Sequence, residues 1–424
     1  MTLMFFASLT AVHLVVMAMS TAGIRVIDMA TTRFSPVRMR ILIAAESYAP
    51  AVNGVANSVA RVEQHLRFRG HEVLVIAPSP GPSDAGVIRT PSRSLPCYRD
   101  LPVGLPSTAA VQEAIDRFQP DVVHLAAPVA LGARVATIAA RRQLPIVAVF
   151  QTDYAGFATT YGLGGASAGL WWWLRRIHRL ADVNLAPSTA TAAMLKANGI
   201  PRVGLWGRGV DLDLFTPERR SQIFRDRVFC GYSPRDRTPA IVGYMGRLSR
   251  EKRVDRLHLV DGWRDVAVVI VGDGPARPEF EAALPNAHFT GMLRGADLAT
   301  ALASFDLFVH TGEHETFCQS IQEAMACALP VIAPARGGPL DLVEDGKTGL
   351  LVQPDDGFEG PVRALVDNPE RRTDMGRAGR ARTEGRTWSA IGDQLIEVYE
   401  RCAASRIAGL TRSNARQLVT VGRS

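Results

Sequence analysis

The stretch VHTGEHETFCQSIQEAMACALPVIA, Val309–Ala333, decides the fold. It continues the apolar run FDLFVH, Phe305–His310, which reads as a strand, and then enters a polar loop that carries Glu315. A segment with helical spacing follows and carries Glu323. After it comes LPVIAPARGG, Leu329–Gly338, a second apolar strand that runs into glycines. Strand, loop, helix and strand in that order make a β-α-β unit, and ligands of such sheets sit at the carboxyl ends of the strands.

Glu315 and Glu323 stand eight positions apart. A fully helical interval of that length would rise about 12 Å, and a partly looped one less. A sugar, a diphosphate and a ribose in line need roughly that reach, with hydroxyl clusters at both ends that favour ionised acceptors. One Glu can then hold the sugar and the other the ribose. The plainer alternative makes Glu315 a carboxylate favoured by a helix start and Glu323 a solvated helix residue. The flanking strands weigh against it.

Outward from this unit the same alternation recurs. RILIAAES from Arg40 is a buried strand, YAPAVNGV a loop, ANSVARVEQHLRFRG a helix ending at Gly70, and HEVLVIAP the next strand. DVVHLAA and PIVAVFQTD are further strands, with helices over Val111 to Phe118 and Leu131 to Arg142. A second series, AIVGYMGRL, VAVVIVGDGP, AHFTGML, FDLFVHTG and PVIAPARGG, starts at Ala240. Strands this apolar are covered on both faces, as in parallel sheets. The expected class is α/β, with two doubly wound Rossmann-like domains facing a cleft, joined by Gly207 to Pro217. The boundaries read as 39–206, 207–387, a helix at 388–404 crossing back to the first domain, and a polar tail at 405–424.

A chain of 424 residues suits two domains. Its formal charge is +7, yet only Lys196, Lys252 and Lys347 are lysines, and no basic run interleaved with aromatics appears. No nucleic-acid partner is expected, and an anionic substrate or lipid surface fits better. Five scattered cysteines without a CxxC pair argue against disulfides and zinc and for a reducing compartment. Residues 1–38 include Leu3 to Ala22, apolar enough for a single membrane anchor, with Arg25, Arg33, Arg38 and Arg40 keeping the rest cytoplasmic. The competing reading starts translation at Met39, and it is slightly favoured.

Several motifs carry chemistry. In MGRLSREKRVDRL, Arg247 and Lys252 follow a strand and open a helix, where two cations grip a diphosphate, one by a planar fork and one as a point charge. Asn53 and Gly54 lie in the first strand-helix loop, where glycine lets a phosphate approach; a lone NG is also an ordinary turn. Gly272-Asp273-Gly274-Pro275 fails the dinucleotide pattern at Arg277 and reads as a tight turn, which sets a dehydrogenase last among the candidates. Asp211 and Asp213 form a DxD in a place suited to turns and caps, so no metal site is expected. Trp171 to Leu180, WWWLRRIHRL, reads equally as a membrane-surface helix and as a core helix with a solvated face.

Taken in order, YAPAVNGV, FQTDY, RGVDLDLF, GRLSREKRVD, VGDGP, the Glu315 to Glu323 pair and PVIA before GG resemble the retaining glycosyltransferases of family 4, two-domain enzymes of the GT-B type. The resemblance covers Met39 to about Cys402. It implies that Arg247 and Lys252 clamp the diphosphate, that Glu315 contacts donor-sugar hydroxyls and Glu323 the ribose, and that the Phe317, Cys318 and Gln319 backbone meets sugar and phosphates. It also implies that Gly54 belongs to a phosphate loop and that Met292 and Leu293 lie near the base. Gln151 stands where many relatives have His, and Thr316-Phe317-Cys318 where they have Gly-Phe-Gly; Gln151 can still bind the donor by a hydrogen bond to the sugar but cannot relay a proton, so no side-chain base is assigned. Retention without a metal or other cofactor is implied, with the leaving diphosphate taking the acceptor proton.

Within that family the pattern is most similar to actinobacterial mannosyltransferases that move mannose from GDP-mannose to a glycolipid, glucuronosyl diacylglycerol or phosphatidylinositol, on the inner face of the plasma membrane. Two alternatives stay open. One is a soluble transferase to a small or polysaccharide acceptor using a UDP-sugar; the other is a non-catalytic nucleotide-sugar binder.

Overall fold

In the strand RILIAA, β1 (Arg40–Ala45), every residue after Arg40 is buried, because both faces of the strand are covered. Ile41, Ile43 and Ala45 face one core, while Leu42 and Ala44 face another, as the two-residue period of a strand requires. This computed structural model describes residues 38–421 apart from 52, 85, 96–97, 157–164, 166, 231–238 and 355. The apolar segment Leu3 to Ala22 and its flanking arginines up to Arg33 lie outside the described residues. Among the described residues no helix is long and apolar enough to cross a membrane.

The amino-terminal sheet continues with β2 (Glu72–Pro78), β3 (Val87–Thr90), β4 (Val122–Ala126), β5 (Ile146–Val149), β6 (Val183–Ala186) and β7 (Val203–Leu205). Its order is β3-β2-β1-β4-β5-β6-β7, all parallel. The second sheet contains β8 (Ala240–Met245), β9 (Val266–Val271), β10 (His288–Gly291), β11 (Leu307–Val309), β12 (Val331–Pro334) and β13 (Gly349–Val352). Its order is β10-β9-β8-β11-β12-β13, again parallel. Strand order therefore reverses between β1 and β4 in one lobe and between β8 and β11 in the other. Such switch points leave a crevice at the carboxyl ends of the strands.

Five helices matter for the site. They are α1 (Gly54–Phe68), α2 (Leu131–Arg141), α3 (Ser167–His178), α4 (Gln319–Ala326) and α5 (Trp388–Val421). Helix α5 packs against α1 and β4 in the amino-terminal lobe, burying Ile391, Leu395, Tyr399 and Cys402. Tyr399 and the buried His124 of β4 share a hydrogen bond of 2.6 Å. The helix runs to Val421, whereas the sequence reads as a polar tail from 405. Polarity marks a solvated surface and does not by itself end a helix, since neither proline nor a glycine cap follows Ser405 before Gly409.

The aromatic run of α3 is mostly core. Trp171 stacks on Phe150, Trp173 donates to the Val129 carbonyl at 2.7 Å, and His178 is buried on Asn184. Only Trp172, 58 % exposed, with Arg176 and Arg179, forms an outward strip. The membrane-surface reading of the whole run is thus reduced to that strip.

Candidate functional site

The second sheet brings its site together by adjacency of β8 and β11. The loop after β8 carries Arg247 and Lys252, and the loop after β11 carries Glu315. Lys252 Nζ donates to Glu315 Oε1 at 2.5 Å, with both side chains mostly buried. Lys252 lies in a single 3-10 turn, Arg250–Lys252, so the two cations do not open an α-helix as the sequence suggests. The turn carries the chain back toward β11: Thr311 Oγ1 donates to the Lys252 carbonyl at 2.6 Å.

His310, the residue after β11, is 2 % exposed and stands 3.2 Å from Glu315, off the line of a hydrogen bond. Its ring stacks on Tyr244 at 6.2 Å. Burial lowers its pKa, but Cys318 and Glu315 outweigh burial and lift it to about 9. Glu315 is pushed the other way: burial opposes its charge, and the Lys252 ammonium and His310 together hold it well below the usual carboxylate range. Lys252 is likewise penalised by burial and raised by Glu315, to about 12. The Lys252 ammonium thus faces an ionised Glu315 across a short contact, with the His310 ring beside them. His310, Glu315 and Cys318 have ligand atoms within 4.8 Å of one another, as a metal site would need. The Lys252 ammonium already supplies the cation on the Glu315 oxygen.

Helix α4 starts only at Gln319, after Cys318 in a left-handed conformation, φ 77°. Glu315 thus lies in the loop and only Glu323 on the helix. Phe317 is buried and its side chain belongs to the core, so only its backbone is available to a ligand. Gln319 Nε2 donates to the Gly209 carbonyl at 3.0 Å and Gln322 Nε2 to the Arg208 carbonyl at 2.9 Å, which ties α4 to the crossing segment. Burial raises the pKa of Glu323 to about 7.

From the amino-terminal lobe, Asn53 caps α1: its Oδ1 accepts from the N–H groups of Val55 and Ala56, and its Nδ2 donates to Ser47. That side chain shapes the loop that presents Gly54 and is spent on it. Gln151 follows β5, its carbonyl accepting from Thr316 Oγ1 at 3.0 Å, and Thr191 Oγ1 donates in turn to the Thr316 carbonyl at 3.1 Å. Thr316 staples the two lobes at the Glu315 loop.

Other sequence expectations land elsewhere. Asp211 is engaged by Arg61 at 3.1 Å and accepts from the Leu214 N–H, while Asp213 is exposed, so the DxD serves as ion pair and cap. Met292 is 49 % exposed and Leu293 partly buried at the end of edge strand β10. A Cβ at Gly272 would meet the Gly246 carbonyl at 1.9 Å, and one at Gly274 the Leu248 carbonyl at 2.3 Å. These glycines let the Gly272–Pro275 turn brace the loop that carries Arg247. The sequence assigns no role to His310 or Arg208, and marks Thr316 only as a departure from the family's Gly-Phe-Gly. The close presence of polar residues beside Glu315 and in RGVD was the only signal they offered.

Two family models match the chain. Residues 52–214 match Glycosyltransferase Family 4, and residues 232–382 match Glycosyl transferases group 1. A GDP-mannose-dependent alpha-mannosyltransferase of Mycolicibacterium smegmatis is 49 % identical over 379 residues, covering 87 % of this chain and 99 % of the relative. The chain belongs to glycosyltransferase family 4. It is an enzyme of the GT-B architecture, as expected from its motifs. A sulfoquinovosyl transferase of Arabidopsis thaliana is 32 % identical over 375 residues, covering 85 % of this chain and 72 % of the relative. Among solved structures, sucrose-phosphate synthase from Thermosynechococcus elongatus superposes with a TM-score of 0.71 at 20 % identity, covering 87 % of this chain and all of the other. That likeness concerns the fold.

Proposed function

We propose that this family 4 enzyme transfers mannose from GDP-mannose, with retention, to a membrane glycolipid acceptor of the glucuronosyl diacylglycerol or phosphatidylinositol type. The observation that carries the reading is the Lys252–Glu315 pair at the β8/β11 switch point, with Glu323 on the following helix, in a chain 49 % identical to a relative named for GDP-mannose. Without donor, the two groups neutralise one another. On donor binding the Lys252 ammonium turns to the diphosphate together with Arg247, and Glu315, kept ionised by its surroundings, accepts from sugar hydroxyls. Glu323 takes the ribose. Arg247 and Lys252 then stabilise the charge that grows on the leaving diphosphate, the electrostatic contribution that usually dominates. The leaving diphosphate accepts the acceptor proton, since no side chain is assigned as base.

The glycolipid acceptor draws support from the sulfoquinovosyl transferase relative and from the strip of Trp172, Arg176 and Arg179 on α3, which suits a peripheral position on anionic lipid. The packing of Trp171 and Trp173 into the core confines that surface to the strip. Purified full-length protein supplied with labelled GDP-mannose and anionic vesicles containing either lipid tests the reading. Label should move to the lipid. Transfer only to a soluble acceptor, or only from a UDP-sugar, sinks the proposal.

A further inference from the structure

We infer that Arg208 is a third cation of the donor site, carried in by the segment that crosses between the lobes and set to meet the donor diphosphate; the inference rests on the donor-site reading above. Its side chain is 6 % exposed. Nη1 donates to the Gly54 carbonyl at 3.0 Å and Nη2 to Gln151 Oε1 at 3.1 Å. Both acceptors are neutral. Among the described residues no carboxylate lies within ion-pair distance of it, unlike the other well-buried cations: Lys252 has Glu315, Arg225 has Asp306 and Arg256 has Glu313. A buried cation without an ion-pair partner is strongly disfavoured unless an anion arrives.

The surroundings say which anion. Arg208 lies within electrostatic reach of both Glu315 and Glu323, the acids read as holding the two ends of the donor. What sits between sugar and ribose is the diphosphate. The guanidinium also touches Gly54 at the start of α1, where a Cβ would stand 2.8 Å from Nη1, so that loop leaves room for it. Since arginine can only donate, Gln151 must turn its oxygen to Arg208 and keep its amide N–H groups for other partners. A glutamine oxygen holds the guanidinium at every pH, while a protonated imidazole would repel it. Arg208 then joins Arg247 and Lys252 in stabilising the leaving group.

The test compares GDP with GMP, which lacks the second phosphate, by calorimetry on wild-type protein and on Arg208→Met and Arg208→Lys. Wild type should prefer GDP. Arg208→Met should lose roughly tenfold to a hundredfold of GDP affinity with much less change for GMP, and Arg208→Lys should recover part of it. A soluble Arg208→Met that keeps the wild-type preference overturns the inference and leaves a strut between lobes. Unchanged GDP affinity with a raised KM for an anionic lipid acceptor also overturns it, assigning the guanidinium to the acceptor. If wild type itself takes GDP no better than GMP, the donor-site reading falls first and this one with it. Should neither variant fold, wild-type crystals with GDP decide: a phosphate oxygen within hydrogen-bond distance of Arg208 supports the inference, and a bound diphosphate out of its reach overturns it.

Discussion

The two switch points of this molecule have the same topology and opposite chemistry. In the amino-terminal lobe the crevice between β1 and β4 is filled by the protein itself: Glu46 Oε1, just past β1, accepts from the backbone N–H groups of Val129, Ala130 and Gly132 at the start of α2. Burial raises the pKa of Glu46, and those N–H groups pull it back. In the second lobe the equivalent crevice between β8 and β11 holds Lys252 and Glu315, the groups proposed to meet the donor, with His310 beside them. One helix start has been closed with a resident carboxylate, while the other crevice is lined by an ion pair between side chains. The same switch point thus serves structure in one lobe and, in the proposed reading, donor binding in the other.

The comparison breaks most visibly at the second lobe. Lys252→Ala or Glu315→Ala should lower kcat by roughly 10²- to 10³-fold, as loss of one preorganised electrostatic group does. Retained turnover in a variant with a wild-type melting curve would remove the pair from the chemistry. Next comes Glu46→Ala, which strands several buried N–H groups. It should cost on the order of 3 kcal/mol of stability, while GDP-mannose affinity of the folded fraction stays near wild type. A loss of affinity without a loss of melting temperature would mean that the first crevice also serves the donor.

Smaller, but sharper in sign, is the effect of Glu323. With a pKa near 7 it is mostly ionised at pH 8 and mostly protonated at pH 6, so GDP-mannose binding should weaken by up to about tenfold over that interval, one pKa unit being one decade. Glu323→Gln should flatten the profile; a wild-type slope surviving in that variant assigns it elsewhere. For stability the sign reverses. A carboxyl raised by burial keeps its proton longer in the native state, so this group makes the native state less stable as pH rises from 4.5 to about 7. The smallest effect belongs to Asp211 and Asp213, since Asp211 already has Arg61. Chelation with EDTA, and Asp213→Asn, should leave the rate within about twofold, because no step depends on a metal there. Strong chelator sensitivity would contradict this.

How much of this was legible in the sequence follows from locality. The strands β1, β8 and β9 announce themselves because a parallel sheet buries both faces and leaves an uninterrupted apolar run. Lys252, Glu315 and Glu323 stand out by motif, and one of only three lysines is easy to notice. His310 and Arg208 are different. Their roles come from which strands and segments lie side by side, and an arginine in an arginine-rich chain carries no local mark. The aromatic run of α3 misleads for the converse reason: Trp171 and Trp173 look like a surface stripe until Phe150 and the Val129 carbonyl are found beneath them.

Two strands of chain pass between the lobes, and they touch. Val210 pairs with Thr387 in a parallel bridge, and a Cβ on Gly209 would fall 2.4 Å from Trp388 Cα. Beyond that point α5 plugs Leu395 and Tyr399 into the first lobe, each worth roughly 1.5–3 kcal/mol of burial. A double crossing pinned at one spot acts like the pin of a door: the halves can swing, but sliding past each other is resisted. Cutting the chain ahead of Trp388 should therefore unseat the whole first lobe instead of freeing two working halves.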